Sequence, residues 1–128
     1  MRAYISARIR SFGYAFKGIA TFFRTQAHAK VHLLAIAMIT PLGLWLGLSP
    51  LEWCAIVICM GMVLTLEAVN TAIEFTVDLA SPQHHPLAGK AKDVAAGAVL
   101  IGAIFAAIVW AIIFLPKLYQ QWELWISG

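Results

Sequence analysis

Three long apolar runs, residues 31–48, 51–79 and 94–115, constrain this chain more than any other feature. Each is long enough to cross the hydrocarbon core of a bilayer, which takes about 20 residues at a rise of about 1.5 Å. Hydrocarbon offers no hydrogen-bond partners, so a backbone inside it must satisfy its own N–H and C=O groups, and a single run can do so only as a helix. The fold class expected is therefore an all-α membrane protein. It is read as one domain over residues 1–128: an N-terminal amphipathic surface helix over 1–30, then three transmembrane helices. Composition agrees, with 62% hydrophobic and only 12% charged residues, against roughly 25% charged in soluble domains.

Against that background the second run is anomalous, because it carries Glu67, Asn70, Glu74 and Asp78. At about 100° per residue, offsets of three, seven and eleven from Glu67 return to nearly one direction, so the four share a single helical stripe. An ionisable side chain in hydrocarbon costs at least about 2.5 to 3.5 kcal/mol, so such a stripe needs cations, water or partner helices. Ser, Thr or Asn would join helices more cheaply than Glu, which makes the stripe a functional site. Three helices enclose it poorly, and the protein is expected to oligomerise.

The basic residues set the expected topology. Arg2, Arg8, Arg10, Lys17, Arg24 and Lys30 precede the first run, Lys90 and Lys92 precede the third, and the first loop has none. The positive-inside rule then places the N-terminus and the loop over 81–93 in the cytoplasm, with the C-terminus and Lys117 outside. The net charge of +3 gathers on one membrane surface, suited to anionic headgroups or polyphosphates; so apolar a chain is not expected to bind nucleic acid. Residues 1–30 lack the continuous apolar core of a cleavable signal peptide. They read instead as an interfacial helix with Tyr4, Ile5, Ile9, Phe12, Phe16 and Ile19 along its membrane-facing band. Trp122 and Trp125 form a similar belt at the outer interface.

Cys54 and Cys59 lie off one face and read as small apolar fillers. Pro41, with Gly43 and Gly47, is expected to bend or loosen the first spanning helix. Gly97 and Gly102, with Ala95, Ala96, Ala98 and Ala103, give the third a small-residue packing surface. Ser81-Pro82 ends the second helix, and Gln83, His84 and His85 lead to Lys92 and Asp93, near Glu74 and Asp78. Carboxylates beside a lysine suit Mg²⁺ bound to phosphate, since that ion takes one or two carboxylates and completes its shell with water and phosphate oxygens. Phosphoryl transfer needs such charge neutralisation and a base within reach of the nucleophile's proton. No Walker loop, protein-kinase string, zinc motif or hydrolase elbow is present. Residue chemistry alone reaches a membrane-embedded acidic site with a basic mouth.

Three strings carry a resemblance: Ser11-Phe12-Gly13-Tyr14-Ala15-Phe16-Lys17-Gly18-Ile19, Glu67-Ala68-Val69-Asn70-Thr71-Ala72-Ile73-Glu74 and Ala91-Lys92-Asp93-Val94-Ala95-Ala96-Gly97-Ala98-Val99-Leu100. They closely resemble the prokaryotic integral membrane diacylglycerol kinase family, which includes undecaprenol kinases. The match runs from about Arg8 to Trp110. The resemblance implies a homotrimer in a bacterial inner membrane, with active sites between protomers at the cytoplasmic interface, moving the γ-phosphoryl of MgATP onto a lipid hydroxyl. It implies that Glu67 is the general base, Asn70 its polar support and Glu74 a metal ligand. Lys92 and Asp93 fall at the nucleotide phosphates and sugar, Gln83, His84 and His85 in the nucleotide loop, and Arg8 and Tyr14 at the surface-helix contribution. Ala96 and Trp110 fall beside the lipid substrate.

One position departs. Where the family usually carries a glutamate as second metal ligand, this chain has Gln26, whose amide oxygen can coordinate Mg²⁺ but brings no charge. Lys30 and His32 keep a basic-x-His pattern found in part of the family, and His32 with the segment after Asp93 looks like the undecaprenol kinase branch. The expected function is an ATP- and Mg²⁺-dependent lipid kinase acting on diacylglycerol or undecaprenol. The rivals are a small channel or proton-relay transporter subunit built on the acidic stripe, and a non-catalytic lipid-binding scaffold.

Overall fold

The computed structural model describes residues 1–127, apart from the side chains of Arg2, Ala3 and Ala7. The side chain of Arg2, counted above toward topology, and Gly128, the end of the expected domain, thus lie outside what is described. The chain forms four helices: α1 (Arg2–Thr25), α2 (Ala27–Trp45), α3 (Pro50–Ala80) and α4 (Pro86–Ser127). The last three are long and apolar enough to cross a membrane. No strand is present among the described residues, as backbone self-sufficiency in lipid requires.

Each break has a local cause. Gln26 sits between α1 and α2 in an extended conformation, φ −99° and ψ 119°, and its backbone N–H donates to Phe22 O at 3.0 Å. The chain therefore turns there without leaving that amide unpaired. α2 runs through Pro41 and ends at Trp45, three residues before the apolar run does, because Gly47 takes φ +63°. Gly47 N–H then donates to Leu44 O and Leu48 N–H to Gly43 O, the paired bonds of a Schellman cap. Two residues on, Ser49 and Glu52 exchange side-chain and backbone bonds in a capping box, with Pro50 opening α3, where its missing N–H costs nothing. At the other end of α3, His85 Nδ1 accepts the Leu87 N–H at 3.2 Å and so caps α4.

α3 and α4 pack along much of their length, and α1 and α2 touch α3 more sparingly. In the first half of α4 the buried residues are Ala95, Val99 and Gly102, one stripe at helical spacing. A Cβ on Gly102 would lie 2.6 Å from Leu66 Cδ1, whereas one on Gly97 would meet nothing within 4 Å. The small-residue surface expected over both glycines therefore divides, and only the Gly102 side meets α3. Near the α2–α3 turn, Leu46, Leu48, Ile56 and Phe114 form a buried cluster, with Trp110 stacked on Phe114 at 5.2 Å between ring centroids. Gly43 is part of this end: a Cβ there would lie 2.9 Å from the Trp53 ring. It permits close approach rather than loosening the helix.

α4 continues through Pro116 to Ser127, beyond the apolar run that ends at residue 115. Its 42 residues span about 63 Å, twice the roughly 30 Å hydrocarbon core. Just past Pro116, Lys117 Nζ pairs with Glu52 Oε2 at 3.3 Å, tying α4 to the first turn of α3. Cys54 and Cys59 are unpaired thiols.

Gly43→Ala should destabilise the protein by about 1 to 3 kcal/mol, the usual cost of forcing extra volume into a packed site. Gly61→Ala, where nothing lies within 4 Å, should be neutral or stabilising by up to about 1 kcal/mol. Detergent-titrated unfolding in mixed micelles checks both, and equal effects would contradict the Gly43–Trp53 approach.

Candidate functional site

The acidic stripe of α3 becomes a ladder of three polar rungs, and each acid meets a different partner. Lowest lies Glu67, whose Oε1 is 3.2 Å from His32 Nε2 on α2. One turn nearer the α3–α4 loop, Asn70 Nδ2 donates to Glu74 Oε1 at 3.2 Å. The last rung joins Asp78 to Lys92 on α4. From Glu67 to Asp78 the stripe climbs about 16 Å at helical rise.

Exposure grows along the ladder. Glu67 is 7% exposed and Asn70 9%, Glu74 is half-buried, and Asp78 is exposed. Among the described residues, Glu67, Asn70 and Thr71 are the buried polar side chains, and Thr71 spends its hydroxyl on Glu67 O at 3.0 Å. Asn70 Oδ1 is fully buried without a hydrogen-bond partner. A buried acceptor left unpaired costs about 1 to 3 kcal/mol, so its retention marks a place where a donor is wanted.

Two cavities bracket the ladder. An apolar one of about 140 Å³ runs between α2, α3 and α4, lined by His32, Ile36, Ile56, Met60, Val63 and Trp110 among others. That volume accommodates a ring-sized group or a short run of methylenes, and His32 is its polar end. The other, about 320 Å³, lies at the α3–α4 loop, where Asp78, Gln83, His84, His85 and Lys92 converge. Here the expectation that Lys92 meets the acids of the stripe holds through Asp78.

Other expected site residues are dispersed. Arg8 and Tyr14 are exposed on α1, and Arg8 is held by the Tyr4 hydroxyl, with Nη2 at 2.8 Å. Asp93 and Ala96 face outward on α4, and Gln26 is half-buried at the α1–α2 break. Trp110 meets both the apolar cavity and the Phe114 ring. Among the described residues no three His, Cys, Asp or Glu side chains gather as a metal cluster. The contact that sequence reasoning missed is His32 with Glu67, since 35 positions separate them. The signal available was a histidine two residues into an apolar run.

Comparison with known proteins agrees in kind. The sequence profile of the prokaryotic diacylglycerol kinase family matches residues 13–114. The chain is 44% identical to the undecaprenol kinase of Bacillus subtilis over 85% of its length and 89% of that protein. It is 42% identical to a diacylglycerol kinase of Synechocystis, over 84% of this chain and 62% of the relative. With the diacylglycerol kinase of Escherichia coli it shares 30% identity, over 82% and 86% respectively.

The exposure gradient is directly measurable. With Cys54 and Cys59 replaced by Ala, the Asp78→Cys thiol should react with a charged, water-soluble maleimide at least about tenfold faster than the Glu67→Cys thiol. Equal rates would show that Glu67 is open to water.

Proposed function

Because the chain belongs to the prokaryotic diacylglycerol kinase family, whose members are membrane enzymes, we propose that it transfers the γ-phosphoryl of ATP to the hydroxyl of undecaprenol or diacylglycerol with Mg²⁺. The observation that carries this reading is the buried Glu67 carboxylate beside His32, which lines an apolar cavity. A base so placed meets only an alcohol that is itself held in the membrane. Membership of an enzyme family sets aside the ion-relay and scaffold readings.

In the proposed reaction Glu67 accepts the hydroxyl proton as the alcohol oxygen attacks the γ-phosphorus. The bond to the β,γ-bridging oxygen breaks and ADP leaves. Asn70 holds Glu74 in place through its amide. At the loop cavity Gln83, His84, His85 and Lys92 take the nucleotide, with Asp93 alongside. Bound phosphates compete with Asp78 for the Lys92 ammonium, which then steadies the transferred group. The lipid lies along the apolar cavity toward Trp110, and the outward-facing Ala96 is not among that cavity's lining residues.

The donor chemistry fits Mg²⁺ that arrives with the nucleotide. Glu74 brings one carboxylate and Gln26 a neutral amide oxygen, and Mg²⁺ is ordinarily held by one or two carboxylates plus substrate phosphates and water. When bound, the ion neutralises phosphate charge. A homotrimer, as the family resemblance implies, would cover part of the spanning surface that one chain leaves open. It is supported by the outward position of Arg8 and Tyr14, which suits completion of a site by a neighbouring copy. The distribution of basic residues supports a cytoplasmic N-terminus and α3–α4 loop.

Purified protein in mixed micelles should consume ATP only when undecaprenol or diacylglycerol is supplied, the better acceptor naming the substrate. Glu67→Gln should reduce the rate roughly 10²- to 10⁴-fold, the usual contribution of a general base. No turnover with either lipid from folded protein, or full activity in Glu67→Gln, would overturn the reading. Gln26→Glu should lower the Mg²⁺ concentration needed for half-maximal rate, since it adds a charged ligand. An unchanged or higher requirement would remove position 26 from the metal site.

A further inference from the structure

We infer that His32 is a positioning residue for Glu67, holding the carboxylate in the orientation from which it takes the substrate's proton. This rests on the lipid-kinase reading with Glu67 as base. Glu67 is buried, and among the described residues its carboxylate has one hydrogen-bonded side chain, His32, with Nε2 3.2 Å from Oε1. The other buried polar groups are committed elsewhere. Thr71 donates to the Glu67 backbone oxygen, and the Asn70 amide nitrogen donates to Glu74.

The chemistry of the pair sets the direction of the bond. A carboxylate ready to accept a proton has no hydrogen to give, so the imidazole donates from Nε2–H. That bond occupies Oε1 and turns Oε2 free as the accepting atom. Without it, the carboxylate rotates about its terminal torsion, which is broad and lacks sharp wells. Misplacement of a catalytic group by about 1 Å can cost 10²-fold in rate.

His32 is held well enough to do this. It stands less than one turn beyond Ala29, which is fully buried (0% exposed), and the Gln26 break fixes where α2 begins. Its ring also lines the apolar cavity that reaches Trp110. An alcohol whose tail fills that cavity thus brings its hydroxyl past the imidazole to reach Glu67. The position joins the tail path to the base, which a residue serving only to balance a buried charge has no need to do.

The test is steady-state kinetics on full-length protein in mixed micelles, with undecaprenol and diacylglycerol as acceptors. His32→Ala should lower kcat roughly tenfold to a hundredfold, the range for losing a hydrogen bond to a charged group, and leave KM for ATP within about twofold. His32→Gln, which keeps an N–H donor, should recover most of the loss, and His32→Phe should not. In a Glu67→Asp background the shorter carboxylate is already withdrawn from the ring, so adding His32→Ala should cost less than about threefold. A simple folding defect lowers both backgrounds by the same factor. Equal losses in the two backgrounds, no rescue by Gln, or full kcat in His32→Ala would each overturn the positioning role while leaving Glu67 as base. Full activity of Glu67→Gln would instead overturn the base assignment itself.

Discussion

A carboxylate at the depth of Glu67 must have a donor beside it, and much of the arrangement around α3 answers that requirement. Removing an ion from water costs several kcal/mol even after relaxation, and an unpartnered one is strongly destabilising. α3 cannot supply every partner from its own surface. The donors come from three places: His32 on α2, Asn70 on α3 itself and Lys92 on α4. The relative placement of the three spanning helices is therefore coupled to one polar stripe. The partners also grade sensibly, from imidazole at the driest rung to an ammonium at the wettest.

The two ends of the bundle divide the work. Near the α2–α3 turn the Schellman cap and capping box fix the chain path, and Phe114, Ile56, Leu46 and Leu48 form the buried cluster. Lys117 and Glu52 close that end with an ion pair. Toward the α3–α4 loop, packing thins and polar groups surround a cavity. Rigid packing at one end sets the register of the stripe, while the other end keeps room for a charged ligand. Gly102 beneath Leu66 transmits that register from α4 to the turn just before Glu67.

The spans and the stripe were legible because both rest on period: a continuous apolar run and returns of 3, 4 and 4 residues from Glu67 to Asp78. The Asp78–Lys92 rung was legible too, since a short loop brings the end of α3 to the start of α4. His32 with Glu67 was not, because helix crossing and rotation decide which residues of α2 face α3, and no local pattern encodes them. His85 was assigned to a nucleotide loop, and its additional work as the cap of α4 depends on backbone geometry around Pro86. The full length of α4 escaped the hydropathy pattern because helical hydrogen bonding continues past Pro116 after the apolar run has ended. Gly97 and Gly102 look alike in sequence and differ only in which neighbour lies over them.

Gln26 shows how the charge balance of the proposed site bears on its metal. In the structure each acid of the stripe already has a donor, and only Asn70 Oδ1 among the buried side-chain atoms described stays unpaired. On the proposed reading a carboxylate at position 26 would give the metal a second charged protein ligand. The neutral amide supplies none. On the proposed reading, metal binding then depends more heavily on the charge that nucleotide phosphates bring with them. Glu74, held by Asn70, becomes the protein's principal charged contribution, and metal and nucleotide are expected to enter as one unit rather than in sequence.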